Sequence, residues 1–215
     1  LWSSRLSNLN LITGDPGMGK SELMKSFKNK CSPKFWTVII SPKDVNLCFP
    51  NSGSPKTANY TNLFEKFIAN EKYRSLSKFD RDFFELCIKK NNVIYVWDAL
   101  DELLSKNFDI ALNIIHEFSK KYLRQWVTSR PHLKTFLETK FNLPSLSINQ
   151  FSEQEQQQYI RKRLKSFISE DEIDITLERI KSSFAIVEHI DILGIPLQIF
   201  MLTELFRENS EKYLK

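Results

Sequence analysis

The chain has 215 residues, 41% of them hydrophobic and 27% charged, with a net charge of +5. That length suits one large domain, or one domain with a small companion, and the composition is ordinary for a globular protein. No apolar run approaches the roughly 20 residues a membrane span needs, and residues 1–10 are too mixed and polar for a signal peptide.

Cys31, Cys48 and Cys87 are widely spaced. They form neither a disulfide framework nor a zinc spacing, so reduced thiols in a cytoplasmic setting are expected. His116, His132 and His189 also lie far apart, which argues against a histidine metal cluster. The densest basic run, Arg161 to Lys165, falls on an expected helix. No aromatic-interleaved basic motif accompanies it, so nucleic acid is not the expected partner. The 17 phenylalanines signal a bulky core. The chain starts without Met, close to its first motif, and reads as a portion of something longer.

Leu9 to Thr13 is an apolar run and the first expected strand. Gly14-Asp15-Pro16-Gly17-Met18-Gly19-Lys20-Ser21 follows it, with Glu22 next. The pattern is G-x-x-x-x-G-K-[ST], a phosphate-binding loop. Three of the chain's five glycines fall here, where backbone must approach a ligand or take positive φ. In such a loop N–H groups cradle an anion and the next helix adds the positive end of its dipole. Lys20 then reaches the β- and γ-phosphates, and the Ser21 hydroxyl is placed for Mg2+. A helix to about Lys30 carries Leu23, Met24 and Phe27.

Phe35 to Ile40 reads as a strand buried on both faces. Ser41 to Asn59, with Pro42, Pro50, Gly53 and Pro55, reads as a long loop. Thr61 can cap a helix carrying Leu63, Phe64, Phe67 and Ile68, and another helix is expected from about Asp80 to Lys90. Val93 to Trp97 is a third strand. Ile110, Ile114, Phe118 and Tyr122 recur every four residues, an amphipathic helix. Gln125 to Thr128 is a fourth strand, a short helix carries Leu133, Phe136, Leu137 and Phe141, and Leu143 to Ile148 is a fifth strand.

The pattern changes near Asn149. Ser152 to Glu155 and Ser169 to Glu172 are capping boxes opening two helices. Gly194-Ile195-Pro196 precedes a last helix through Leu197, Phe200, Met201 and Leu205. The expectation is an α/β domain of five parallel strands over residues 1–149, then an all-helical domain over 150–215.

The third strand ends in Asp98, beside the phosphate loop in such a sheet, where a carboxylate can hold Mg2+ opposite Ser21. Asp101 and Glu102 follow. A carboxylate there can orient or deprotonate an attacking water, while a turn that favours acids for dipole reasons explains them as well. Thr128-Ser129-Arg130-Pro131 ends the fourth strand, and ligands bind at the carboxyl ends of parallel strands. Arg130 can reach a γ-phosphate; as a bare sequence feature it is equally a surface arginine before a proline-started helix.

Gly-Asp-Pro-Gly-Met-Gly-Lys-Ser, Asp-Ala-Leu-Asp-Glu, Thr-Ser-Arg-Pro and Gly-Ile-Pro-Leu, in that order from Leu9 to about Leu205, resemble a NACHT domain. These are signal-transduction P-loop NTPases of the STAND class, related to AAA+ ATPases. The resemblance implies a three-layer αβα fold with a five-stranded parallel sheet in the order 5-1-4-3-2, followed by a small first helical domain. It implies ATP or ADP with Mg2+, bound by Gly14 to Ser21 and Glu22, with Ser21 and Asp98 on the metal. Asp101 and Glu102 would serve slow hydrolysis, Arg130 would sense the γ-phosphate, and Pro196 would pack on adenine. Read without the family, Gly194 and Pro196 are a helix stop and start. Ala99 stands where the family usually has Gly.

The resemblance further implies a nucleotide-dependent signalling switch controlling self-association through the NTPase domain, most often in intracellular, innate-immune sensing. An N-terminal effector and a C-terminal repeat sensor would belong to the longer chain. The alternatives are an AAA+-like motor remodelling protein or nucleic acid, and a scaffold that binds nucleotide without hydrolysis.

Overall fold

Short runs rich in β-branched and aromatic residues, Trp36–Ile40, Val93–Trp97 and Arg124–Ser129, form three adjacent strands of one sheet. The computed structural model describes residues 8–49, 60–68, 76–184 and 194–208. The elements of its larger part are β1 (Leu9–Thr13), α1 (Lys20–Lys30), β2 (Trp36–Ile40), α2 (Pro42–Cys48), α3 (Tyr60–Phe67), α4 (Lys78–Lys89), β3 (Val93–Trp97), α5 (Ser105–Lys120), β4 (Arg124–Ser129), α6 (Lys134–Phe141) and β5 (Ser145–Ser147). All strand pairs are parallel, in the order β2-β3-β4-β1-β5. This is the expected 5-1-4-3-2 order, read from the other edge.

Alternation along the strands divides the core in two. Val93, Tyr95 and Trp97 face one side with Phe64, Phe84, Phe118 and Leu137, from α3 to α6. Ile94 and Val96 face the other with Ile12, Trp126 and Met24 of α1. Helices therefore cover both faces, which is why β3 is apolar throughout instead of alternating. Gln125 is a buried polar exception with its bonds satisfied. Its Oε1 accepts from Trp97 Nε1 at 3.1 Å, and its Nε2 donates to Ile115 O and Ser119 Oγ, both at 3.0 Å.

Several local expectations are corrected. Ser41 to Cys48 is not loop: Ser41 caps α2 in a capping box with Asp44, and Pro42 sits in the first turn, where its missing N–H costs nothing. Residues 50–59 of the expected loop lie outside those described. Thr61 lies inside α3, buried, instead of capping it. Tyr122 is not on the α5 face: it follows the helix, at φ 58°, 76% exposed. β5 is three residues long, shorter than expected.

The chain divides into two compact units, Leu1–Asp15 with Lys20–Ile148, and Pro16–Gly19 with Asn149–Lys215. The second contains α7 (Glu153–Leu164), α8 (Glu170–Phe184) and α9 (Pro196–Glu208). Ile160, Leu164, Ile173, Leu177, Ile180 and Ile199 form its core. Both capping boxes form as read: Glu155 Oε2 accepts from Ser152 N and Oγ, and Glu172 Oε2 from Ser169 N and Oγ, all at 2.8 Å. These bonds hold both carboxyl groups below the usual carboxylate range. Two residues of the basic run pair within this unit: Arg161 with Glu170 and Asp174, and Arg163 with Glu204.

Candidate functional site

The register that stacks the strands also decides which residues meet at their carboxyl ends. Thr13 of β1 is paired with Ser129 of β4, and Trp97 of β3 with Val127 of β4. One residue further, Gly14 N–H donates to Ser129 O at 3.2 Å. Asp98 N–H donates to Ile40 O at 2.8 Å. The tips of β1, β2, β3 and β4 are thus fastened to one another by backbone.

Lys20 opens α1, so Ser21 and Glu22 sit in its first turn, where N–H groups lack intrahelical partners. Lys20 Nζ donates to Gly14 O at 2.6 Å and to Asp15 O at 3.1 Å. The loop's own carbonyls hold the ammonium over it. Ser21 is exposed. Glu22 is exposed and paired with Lys25, raising the Lys25 pKa through their hydrogen bond and charge. Gly17 and Gly19 have φ of +81° and +80°, the left-handed region that favours glycine.

Pro16, Gly17, Met18 and Gly19 group with the second unit, in which Leu197 N–H donates to Gly17 O at 3.1 Å. A Cβ on Gly17 would come within 3.1 Å of Ile195 Cγ2, a second reason for glycine there. Pro196 is the first residue of α9.

The acidic segment after β3 is built as a tight turn. Ala99 takes φ 53°, ψ 51°, the left-handed conformation in which Gly is easiest. A single 3-10 turn, Leu100–Glu102, follows, with Leu100 buried in the core. The turn faces the end of β4. Asp98 Oδ1 accepts from Thr128 Oγ1 at 2.8 Å. Asp101, with its side chain only 3% exposed, takes two donors of one residue: Oδ1 accepts Arg130 N–H at 3.0 Å, and Oδ2 lies 3.0 Å from Arg130 Nε. Glu102 Oε1 lies 3.4 Å from the Arg130 guanidinium, with about half of each side chain in water.

Asp101, Glu102 and Arg130 are therefore joined in one charged cluster at the end of β4, while Asp98 is held separately by Thr128. Thr128, a small polar residue of the strand tip in the sequence, supplies the hydroxyl that bonds Asp98 and the backbone of Ala99. The Thr-Ser-Arg motif signalled a polar strand tip, but nothing local said which groups it would meet.

Among the described residues no group of three His, Cys, Asp or Glu stands close enough to hold a metal by itself. Ser21 and Asp98 offer one hydroxyl and one carboxylate. Such a donor set fits Mg2+, which keeps several waters and uses one or two carboxylates plus substrate phosphates.

The phosphate-loop geometry on a parallel sheet defines a nucleotide-binding P-loop NTPase. The family model described as the NACHT domain matches residues 8–166, and the chain belongs to that family, within the STAND class. No curated protein sequence matches the chain significantly.

Solved structures share the fold. The Walker-type ATPase PABY2304 of Pyrococcus abyssi is similar at TM-score 0.54 and 15% identity, over 95% of this chain and 64% of that one. AMPPCP-bound DnaA from Aquifex aeolicus is similar at 0.58 and 14%, over 98% and 60%. Drosophila ORC bound to DNA is similar at 0.56 and 15%, over 99% and 57%. The chain spans about 57–64% of the length of these proteins.

Proposed function

We propose that this chain is the ATP- and ADP-binding switch of a signalling protein, with a nucleotide-binding domain over residues 1–149 and a first helical domain over 150–215. One observation carries the reading: the P-loop lysine, Asp98, Glu102 and Arg130 stand at the carboxyl ends of adjacent parallel strands that share backbone and side-chain bonds. Gly14 to Ser21 and Glu22 would bind phosphates, with Lys20 supplying charge at the β- and γ-positions. Ser21 and Asp98 would hold Mg2+, which when bound neutralises phosphate charge. Glu102 would orient or deprotonate the attacking water, Arg130 would meet the γ-phosphate, and Asp101 would serve hydrolysis by holding Arg130. Pro196 would offer adenine its flat apolar ring.

Slow hydrolysis, in place of a motor's fast turnover, is taken from family analogy. By family analogy, ADP holds a closed form, ATP permits self-association through the NTPase domain, and the setting is innate-immune sensing inside the cell. An N-terminal effector and a C-terminal repeat sensor complete that picture. Different affinities of the two forms for ATP and ADP drive the switch.

The test is the nucleotide released on denaturing purified protein, followed by turnover. Co-purified ADP and turnover below about 1 per second fit the switch, with both lost in Lys20→Ala and turnover reduced in Glu102→Gln. Turnover of many per second points to a remodelling motor. Binding without turnover points to a scaffold.

A further inference from the structure

Thr128 is completely buried at the end of β4, one register step beyond the Trp97–Val127 pair. Its hydroxyl makes two bonds of opposite sense. It donates to Asp98 Oδ1 at 2.8 Å and accepts Ala99 N–H at 2.9 Å. A hydroxyl has one proton to give. That proton is committed to Asp98, so Thr128 has none for a phosphate or a water. What it does instead is fix one carboxylate oxygen of Asp98.

The second bond acts on the backbone. Ala99 is in the left-handed conformation, which is strained for a non-glycine residue and persists only when its surroundings hold it. The Thr128 hydroxyl is one of those holds. From Ala99 the chain enters the turn that delivers Asp101 and Glu102 to Arg130. One atom thus sets both the orientation of the Asp98 carboxylate and the starting point of the acidic turn.

We infer that Thr128 is a positioning residue of the nucleotide site, whose hydroxyl aims the Asp98 carboxylate at the metal position and anchors the turn carrying Glu102. The inference rests on the proposed role of Asp98 toward Mg2+. Val is close to Thr in shape but can neither donate nor accept at that position, so Thr128→Val frees the carboxylate to rotate while keeping the volume. Ser keeps the hydroxyl and loses only a methyl.

The experiment measures binding of a fluorescent ATP analogue at increasing Mg2+, and separately in EDTA, for wild type, Thr128→Val, Thr128→Ser and Asp98→Asn, with thermal unfolding of each. Thr128→Val is expected to need at least fivefold more Mg2+ for half-maximal binding, with affinity in EDTA within twofold of wild type. Thr128→Ser is expected to restore the wild-type Mg2+ requirement within twofold. In an Asp98→Asn background, adding Thr128→Val is expected to change the requirement no further. Should Thr128→Val fail to fold, Thr128→Cys, which puts a weak thiol donor in place of the hydroxyl, takes its place with the same expected rise.

A variant that unfolds earlier yet keeps the wild-type Mg2+ requirement would reduce Thr128 to a structural staple and overturn the inference. Failure of wild type to bind the analogue at all would sink the nucleotide reading itself, a result distinct from a Thr128 variant that binds normally.

Discussion

The strand tips of the α/β unit and the helix starts of the second unit use the same two groups, a hydroxyl and a carboxylate, at very different range. In the second unit Ser152 meets Glu155 and Ser169 meets Glu172, each three residues apart. At the strand tips Thr128 meets Asp98 across 30 residues, and Arg130 meets Asp101 across 29. The short-range pairs satisfy helix ends and nothing else. The long-range pairs tie separate strands together and hold charge where a parallel sheet binds ligands. The same chemistry stabilises a helix in one place and fixes strand-tip carboxylates in the other.

That difference can be broken by mutation, starting with the largest expected effect. Arg130→Ala leaves the Asp101 carboxylate buried without its cation. Losing one partner of a fully buried pair costs about 3–5 kcal/mol; because Arg130 is 43% exposed, water screens the pair, and about 2 kcal/mol is expected from urea unfolding. Ser152→Ala and Ser169→Ala each remove one cap and are expected to cost about 1 kcal/mol. Neither should alter nucleotide affinity; a change there of more than twofold would erase the contrast between the regions. Ala99→Gly relieves the left-handed strain and is expected to stabilise by under about 1 kcal/mol, the gain being offset by the entropy of glycine in the unfolded chain.

Acid sharpens the comparison with the smallest steps. Glu155 and Glu172 are held below their ordinary value of 4.5, first by the backbone N–H and then by the hydroxyl of their capping serines. A depressed folded-state value means that their stabilisation is present above the unfolded value and is lost as pH falls through the folded one. Helical circular dichroism followed below pH 4.5 should therefore show a loss that is smaller in Ser152→Ala and Ser169→Ala, which start without those bonds.

Range also explains what was legible in the sequence. The phosphate loop, β1 and β3 and both capping boxes are patterns within a dozen residues, and each forms where it was read. The strand order came from resemblance to a family, because no local feature of β1 says that it lies between β4 and β5. The α2 helix differs from the loop the sequence suggests, although Ser41 and Asp44 make the same box as Ser152 and Glu155. Pro42 signals a loop in the sequence, yet proline in a first helical turn is tolerated. Tyr122 fitted the period of α5, but the helix stops at Lys120 and the residue turns outward. Asp98, Asp101, Glu102 and Arg130 could be chosen as candidates one by one. That Asp101 would be buried on Arg130, and that Thr128 would be the hinge pin of Asp98, depends on the register between β3 and β4, which no local pattern encodes.

The most direct test of the nucleotide site at these strand tips is calorimetric titration of ATP into wild type and Asp98→Ala, with Mg2+ and again in EDTA. Wild type is expected to bind ATP at least tenfold more tightly with Mg2+, about 1.4 kcal/mol, and Asp98→Ala to bind equally in both conditions. Absence of binding to wild type, or a Mg2+ dependence that survives in Asp98→Ala, would contradict the account.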